Sequence, residues 1–260
     1  MIFPYILGFI SGNIYNKHKV VNILKKEKNK TLNLLLSNFV SYSQDFEDFI
    51  LFYLFYDVHK GFYIDVGAND PNKYSVTKAF YQRGWNGINI EPLPYMYAKL
   101  QKYRKRDINL QLGVGNNEGK AFLRIKGKLS RCSSIELDKK QKSSNNIEIK
   151  VTTMTNICKT YIPKGTQIEF CKIDVEGYEK NVLLGYDFIN YRPKVFCIES
   201  LSRGKGQIPY QDWEYIFTKN NYIFAYQYGR NRYYYDKNNI ELKNKFKNIH
   251  YYVQKYYNKN

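Results

Sequence analysis

Histidine and cysteine are scarce in this chain, three and four residues respectively out of 260. Cys132, Cys158, Cys171 and Cys197 form no C-x-x-C pair, and no histidine stands at metal-ligand spacing from them. Neither a zinc site nor a disulfide framework is expected. Long apolar runs are also missing. The longest near the N-terminus, Ile2 to Ile10, is too short to span a bilayer and is broken by Pro4 and Gly8. It has no basic region before it and no A-x-A-like site after it, so no secretory signal is expected. The cytoplasm is then the default compartment. No G-x-G-x-x-G motif and no Walker Gly-Lys-Ser/Thr follows a strand-like run, so nothing is built to cradle a pyrophosphate or triphosphate. No internal repeat is visible.

What the chain has in excess is positive charge. Lys and Arg number 41 against 23 Asp and Glu, a net charge of +18. Such a field raises encounter rates with phosphates, uronic acids, nucleic acid or an anionic membrane face, without choosing among them. Hydrophobic residues at 43% supply a sizeable core, and a mean hydropathy of −0.58 fits a folded, water-soluble domain. Residues 1–40 read as a separate arm, in which the apolar tip is followed by Lys17, Lys19, Lys25, Lys26, Lys28 and Lys30. Two readings stand: a surface helix packed through Val20, Val21, Ile23 and Leu24, or peripheral attachment to the anionic inner face of a membrane.

From Ser41 the periodicity sharpens. Phe46, Phe49, Ile50, Tyr53 and Leu54 fall on one face of a helix, and Ser41 with Gln44 fits a capping box ahead of it. Strands are expected over 62–66, 87–91, 108–114, 120–126, 147–152, 168–175 and 194–200. Helices are expected over 77–83, 94–106, 178–184 and 209–220. A Ser-rich loop over 127–146 interrupts the pattern. Tyr222 to Tyr228 and Arg232 to Tyr235, joined across Gly229-Arg230-Asn231, read as a hairpin. Strands alternating with helices predict an α/β fold, a doubly wound and mainly parallel sheet with a C-terminal antiparallel hairpin. The expected domain spans 41–250, and an aromatic, basic tail follows over 251–260.

The sharpest local signal is the run from Phe62 to Asp70, FYIDVGAND. A strand ends at Asp65, and Gly67 at the turn lets a ligand approach the backbone. Glu91, at the end of the next strand within Asn89-Ile90-Glu91-Pro92, is placed to take both hydroxyls of a ribose. Adenosine recognition without a phosphate cradle points to S-adenosylmethionine (SAM). The candidate cofactor residues are Asp65, Gly67, Ala68, Asn69, Glu91 and Pro92. A second signal, KIDVEGYE over 172–179, puts Asp174 and Glu176 at the same sheet edge, and VFCIE over 195–199 ends in Glu199. Carboxylates gathered at strand ends repel one another unless a cation or a substrate hydroxyl uses them. Glu179 is expected to serve only the start of its helix.

In these motifs the chain resembles the FkbM family of SAM-dependent methyltransferases. The likeness runs from about Tyr42 to Phe246 and is carried by YSQDFEDFIL, FYIDVGANDP, GWNGINIEP, KIDVEGYEKNVLLG, VFCIE and GRNRYYY. Pro71 stands where many relatives have glycine. The resemblance implies a class I (Rossmann-like) methyltransferase fold and methyl transfer, usually to a hydroxyl of a sugar or polyketide. Gln44 and Asp48 match the family's N-terminal motif, and their helix is expected to cover the cofactor. Ser75 and Thr77 are candidates for the methionine end of SAM, with helix capping as the alternative. Ser133 and Ser134 are weaker candidates for adenine or the acceptor.

An alcohol acceptor must lose a proton, and His18, His59 and His250 all lie outside the motifs. The proton is therefore assigned to Asp174 or Glu176. A Mg²⁺ held by Asp174 and Glu199 is the metal-dependent variant. The run Lys99, Lys102, Arg104, Lys105 and Arg106 reads as a solvated helix face. The leading expectation is an O-methyltransferase acting on a sugar of a surface polysaccharide or its nucleotide-linked precursor. The alternatives are a nucleic-acid methyltransferase and a non-catalytic scaffold on anionic surfaces. No Asn-Pro-Pro-Tyr-like motif follows the Asp174 strand, so a nucleic-acid partner is not expected.

Overall fold

The computed structural model describes residues 29–125, 133–136, 146–202, 206–207 and 210–257. The chain divides into two units, Met1–Phe39 and Val40–Asn260. In the first, residues 29–37 form helix α1. The apolar tip and most of the lysine cluster of the arm lie outside the described residues. No described helix is long and apolar enough to cross a membrane.

The second unit is built on a seven-stranded sheet. Its central strands are β1 (Phe62–Val66), β8 (Phe170–Ile173) and β9 (Val195–Glu199), every residue of which is buried. Continuous burial marks strands covered on both faces, as parallel α/β sheets require. With β2 (Asn86–Ile90), β3 (Ile108–Leu110), β12 (Tyr222–Tyr228) and β13 (Asn231–Asp236), the order is β12-β13-β9-β8-β1-β2-β3. Strands β9, β8, β1, β2 and β3 pair in parallel in that order, β13 runs antiparallel to β9, and β12 antiparallel to β13.

Alternation sends side chains to two packed layers. Ile64, Val66, Ile88, Ile90, Ile173, Phe196 and Ile198 join helices α5 (Met154–Tyr161), α6 (Glu179–Leu184) and α7 (Gln211–Lys219) through Ile157, Val182 and Trp213. On the other face, Tyr63 and Phe170 stack at 5.8 Å between ring centres. Phe170 also meets Phe80 and Trp85 at 4.9 and 6.2 Å. Asp65 and Lys172 are register partners on neighbouring strands, so they share that face. From β1 the chain winds outward to β3 and later returns to β1's other side at β8. The carboxyl ends of β1 and β8 therefore flank the crevice where open α/β sheets bind ligands.

Several expectations are corrected. Helix α2 (Glu47–Phe55) is buried on all sides rather than along one face, and its N-cap Phe46 makes no side-chain cap bond. The Ser41–Gln44 capping box does not form; Asp48 instead collects Ser41 and Ser43. The run 108–114 breaks into β3 and β4 (Gly113–Val114), which belong to different sheets. A second sheet, β4-β7-β5-β6, contains β5 (Gly119–Ile125), β6 (Ser133–Glu136) and β7 (Asn146–Thr152), so the Ser-rich loop carries a strand. The short pair β10 (Leu201–Ser202) and β11 (Gly206–Gln207) makes a third.

Helix α4 (Pro94–Tyr103) stops before Arg104, which is buried rather than solvated and donates to Pro71 O, Thr77 O and Ser75 Oγ. Helix α3 (Lys78–Gln82) lies between β1 and β2 in the chain. Helix α8 (Ile240–Tyr257) runs without a break through the aromatic tail and buries Ile249 and Val253.

Candidate functional site

The site grows out of the turn after β1. Gly67 adopts φ +81°, and a Cβ there would lie 1.9 Å from the Asp174 carbonyl oxygen. Only glycine lets the ends of β1 and β8 approach this closely, and the same absence leaves a bare strip of backbone facing the cleft. Gly67 N–H and Ala68 N–H both donate to Ile90 O, fixing the turn against β2. Glu91, 3% exposed, follows β2. Its carboxylate accepts Asn69 N–H at 2.9 Å and Leu93 N–H at 2.8 Å. Burial outweighs those hydrogen bonds and pushes its pKa up to about 7.

Around these residues opens a cleft of about 1120 Å³, its open mouth included. Asp65, Gly67, Ala68, Asn69, Glu91, Pro92, Asp174, Glu176 and Gln44 all line it, so most of the expected residues converge. Three lining residues, Asn69, Tyr74 and Glu176, hold the left-handed backbone that side chains rarely adopt, at φ +51°, +59° and +56°. Such conformations persist where the surroundings over-determine them, and they gather at ligand sites. Ser75 does not join the lining; it is buried against Arg104. Thr77 is likewise internal and donates to Asp65 Oδ2 at 3.1 Å, while Asp65 Oδ1 is buried with no hydrogen-bond partner. The side chains of Ser133 and Ser134 lie outside the described residues.

A charge network sits at the ends of β8 and β9. Lys172 Nζ lies 2.7 Å from Asp174 Oδ2, and Arg230 Nη1 lies 3.4 Å from Glu199 Oε1. Burial opposes the Lys172 ammonium, but Asp174 and Asp65 outweigh it and raise its pKa. Burial also works against the Asp174 carboxylate; Lys172, by charge and hydrogen bond, wins and holds the pKa low. Glu199 moves the opposite way, raised by burial and then by the Asp174 charge. The two neighbouring carboxyl groups are thus pushed in opposite directions, Asp174 down and Glu199 up. Glu179 takes a different part. Its Oε1 accepts Val175 N–H and Gly177 N–H, tying the turn that presents Glu176 to the start of α6.

Donor atoms of Asp174, Glu176 and Glu199 come within 4.8 Å of one another. An all-oxygen set has the right hardness for Mg²⁺. Lys172 and Arg230 border the set, and each is shared with a further carboxylate, Asp65 and Asp45 respectively. Asp174, Glu176 and Glu199 are the residues that would hold such an ion. Sequence reasoning missed Lys172, Arg230, Lys73 and Tyr74, all of which line the cleft. Lys172 had a signal, as the one charged residue inside the buried strand Phe170–Ile173. Arg230 lies within the GRNRYYY motif, but its place in the cleft depends on how the hairpin turn docks.

Comparison with known proteins agrees with this geometry. The family model described as the methyltransferase FkbM domain matches residues 65–224, more than half of the 260. No curated protein matches the chain. The chain belongs to the FkbM methyltransferase family.

Proposed function

We propose that this FkbM-family methyltransferase moves the methyl group of SAM to a hydroxyl of a sugar, within a surface polysaccharide or a nucleotide-linked precursor. The observation that carries the cofactor assignment is the buried Glu91 carboxylate at the end of β2, in one cleft with the bare Gly67 backbone. Glu91 already accepts one backbone N–H on each oxygen, which fixes its plane and leaves lone pairs for the ribose hydroxyls. The unpaired Asp65 Oδ1 is a second acceptor in the same wall. Asp174, kept ionised by Lys172, offers negative charge where a cationic sulfonium would lie.

SAM would supply an electrophilic methyl group, transferred by in-line displacement from sulfur. The protein's part is alignment and the acceptor's proton. Fixing acceptor oxygen, methyl carbon and sulfur in line removes the entropic cost of a bimolecular encounter. Asp174 can accept a hydrogen bond from the acceptor hydroxyl, and Glu176, half-exposed at the same edge, is the second candidate to take its proton. Because Lys172 lowers the basicity of Asp174, orientation contributes more than proton affinity there. The choice of a sugar rests on family resemblance.

Incubation with methyl-labelled SAM and a panel of nucleotide-sugars and glycans tests the reading. Label transfer to a sugar hydroxyl is the expected result. Transfer to nucleic acid alone, with binding that falls steeply as salt rises, would support the alternative instead.

A further inference from the structure

We propose that Arg230 is a positioning residue: it clasps the β12–β13 turn to the 41–46 loop through Asp45 and to the end of β9 through Glu199, holding Gln44 in the cofactor wall. The inference rests on the cofactor reading above and names the device that shapes the same cleft.

The loop is a compact body in its own right. The Asp48 carboxylate accepts Ser41 Oγ–H at 2.6 Å, Ser43 Oγ–H at 2.7 Å, Tyr42 N–H at 2.6 Å and Ser43 N–H at 3.2 Å. With its inside fixed, the seat of Gln44 is decided by what the loop is fastened to. Three contacts fasten it to the hairpin turn. Arg230 Nε meets Asp45 Oδ2 at 2.7 Å. Asn231 Nδ2 donates to Glu47 Oε1 at 2.9 Å, while Glu47 Oε2 accepts Asp45 N–H at 2.8 Å. Gly229, at φ +54°, packs so closely that a Cβ would come 2.9 Å from Asp45 Cβ.

Arg230 is itself anchored at a third place. Its carbonyl accepts Ser200 N–H at 2.8 Å and Ser200 Oγ–H at 3.0 Å, while Nη1 faces Glu199. A guanidinium can serve carboxylates on two separate elements at once, because its N–H groups diverge in a fixed plane. A lysine ammonium on a flexible stem serves one well. Gln44 is the chain neighbour of Asp45 and lines the cleft, as does Arg230. Displacing Asp45 must therefore move Gln44. Since 185 residues separate Asp45 from Arg230, no local sequence can substitute for the clasp.

Titration calorimetry with S-adenosylhomocysteine on the full chain, with hydrogen exchange over 41–46, provides the test. Arg230→Gln and Asp45→Asn should each weaken binding by about 3- to 10-fold, as expected for a largely buried ion pair coupled to a ligand wall. Both should speed exchange in 41–46. Arg230→Lys should recover part of the affinity, and the double variant should lose no more than either single one. Wild-type affinity and exchange in a folded Arg230→Gln protein would overturn the inference. So would a lowered melting temperature with unchanged affinity, which marks a purely structural role. No binding by the wild-type chain overturns the cofactor reading, and the inference with it. Binding unaffected by the variants overturns the inference alone.

Discussion

Glu91 carries two duties, and they separate by experiment. Truncation to alanine removes the acceptors of Asn69 N–H and Leu93 N–H as well as the expected ribose contacts. Glu91→Ala should cost roughly 1.5–3 kcal/mol of SAM and S-adenosylhomocysteine affinity, read by calorimetry. It should also lower the melting temperature, because two buried donors lose their partners. Unchanged affinity with the fold intact would remove Glu91 from the site. Asp174 answers differently. Asp174→Asn keeps the shape but removes the charge and basicity offered to the acceptor's proton, so turnover should fall on the order of 10²–10⁴-fold. If Asp174 acts as a direct base, EDTA should leave wild-type turnover unchanged. Inhibition by EDTA that Mg²⁺ reverses would instead make Asp174 a metal ligand with Glu199. Normal turnover by Asp174→Asn would pass the role to Glu176.

At the scale of elements, the turn after β1 is the least tolerant piece of the fold. Gly67→Ala forces a Cβ onto the Asp174 carbonyl and a side chain into a left-handed backbone, so β1 and β8 must part at their carboxyl ends. The expected loss is on the order of 1–3 kcal/mol or more, with SAM binding abolished; a denaturant melt and calorimetry read the two. This turn was legible from sequence because a buried parallel strand is an apolar run that stops abruptly, and here it stops at Asp65 and Gly67. Strand β9 was read for the same reason. The second sheet was not, since β4 is two residues long and β6 hides in a serine-rich stretch. Helix α2 misled in another way. An i, i+3, i+4 pattern is what a one-sided helix shows, yet Glu47 and Asp48 are buried too, each satisfied by loop or turn groups. Arg104 sits in a run of lysines and arginines, and nothing local distinguishes the one whose guanidinium closes over Pro71, Ser75 and Thr77. Site residues at strand ends could be read, whereas those delivered by docking, Arg230 above all, could not.

Across the whole molecule, burial of carboxyl groups sets how stability follows pH. Desolvation is the largest influence on Asp48, Glu91 and Glu179, pushing them up to about 6, about 7 and about 7. Glu199 is raised as well, by burial and then by Asp174. A carboxyl whose pKa is higher in the folded state holds its proton longer there than in the unfolded chain. Its contribution to stability is complete below the unfolded value and is lost as pH rises through the folded one. The opposite sign applies to Asp70, Asp187 and Asp236. Hydrogen bonds outweigh burial at all three, helped by Lys99 at Asp70 and Arg192 at Asp236, so their contribution disappears as pH falls below about 4. The two sets together place maximal stability of the cofactor-free chain near pH 4–5. Stability should then decline toward pH 8. Thermal melts at pH 5 and pH 8 check the direction, and a flat or rising melting temperature would sink the argument. Glu179→Gln isolates one part of the slope. The amide keeps an acceptor for Val175 N–H and Gly177 N–H but cannot ionise, so the variant should lose less stability than wild type between pH 5 and pH 8. If the slope survives unchanged in that variant, Glu179 is not among the groups that produce it.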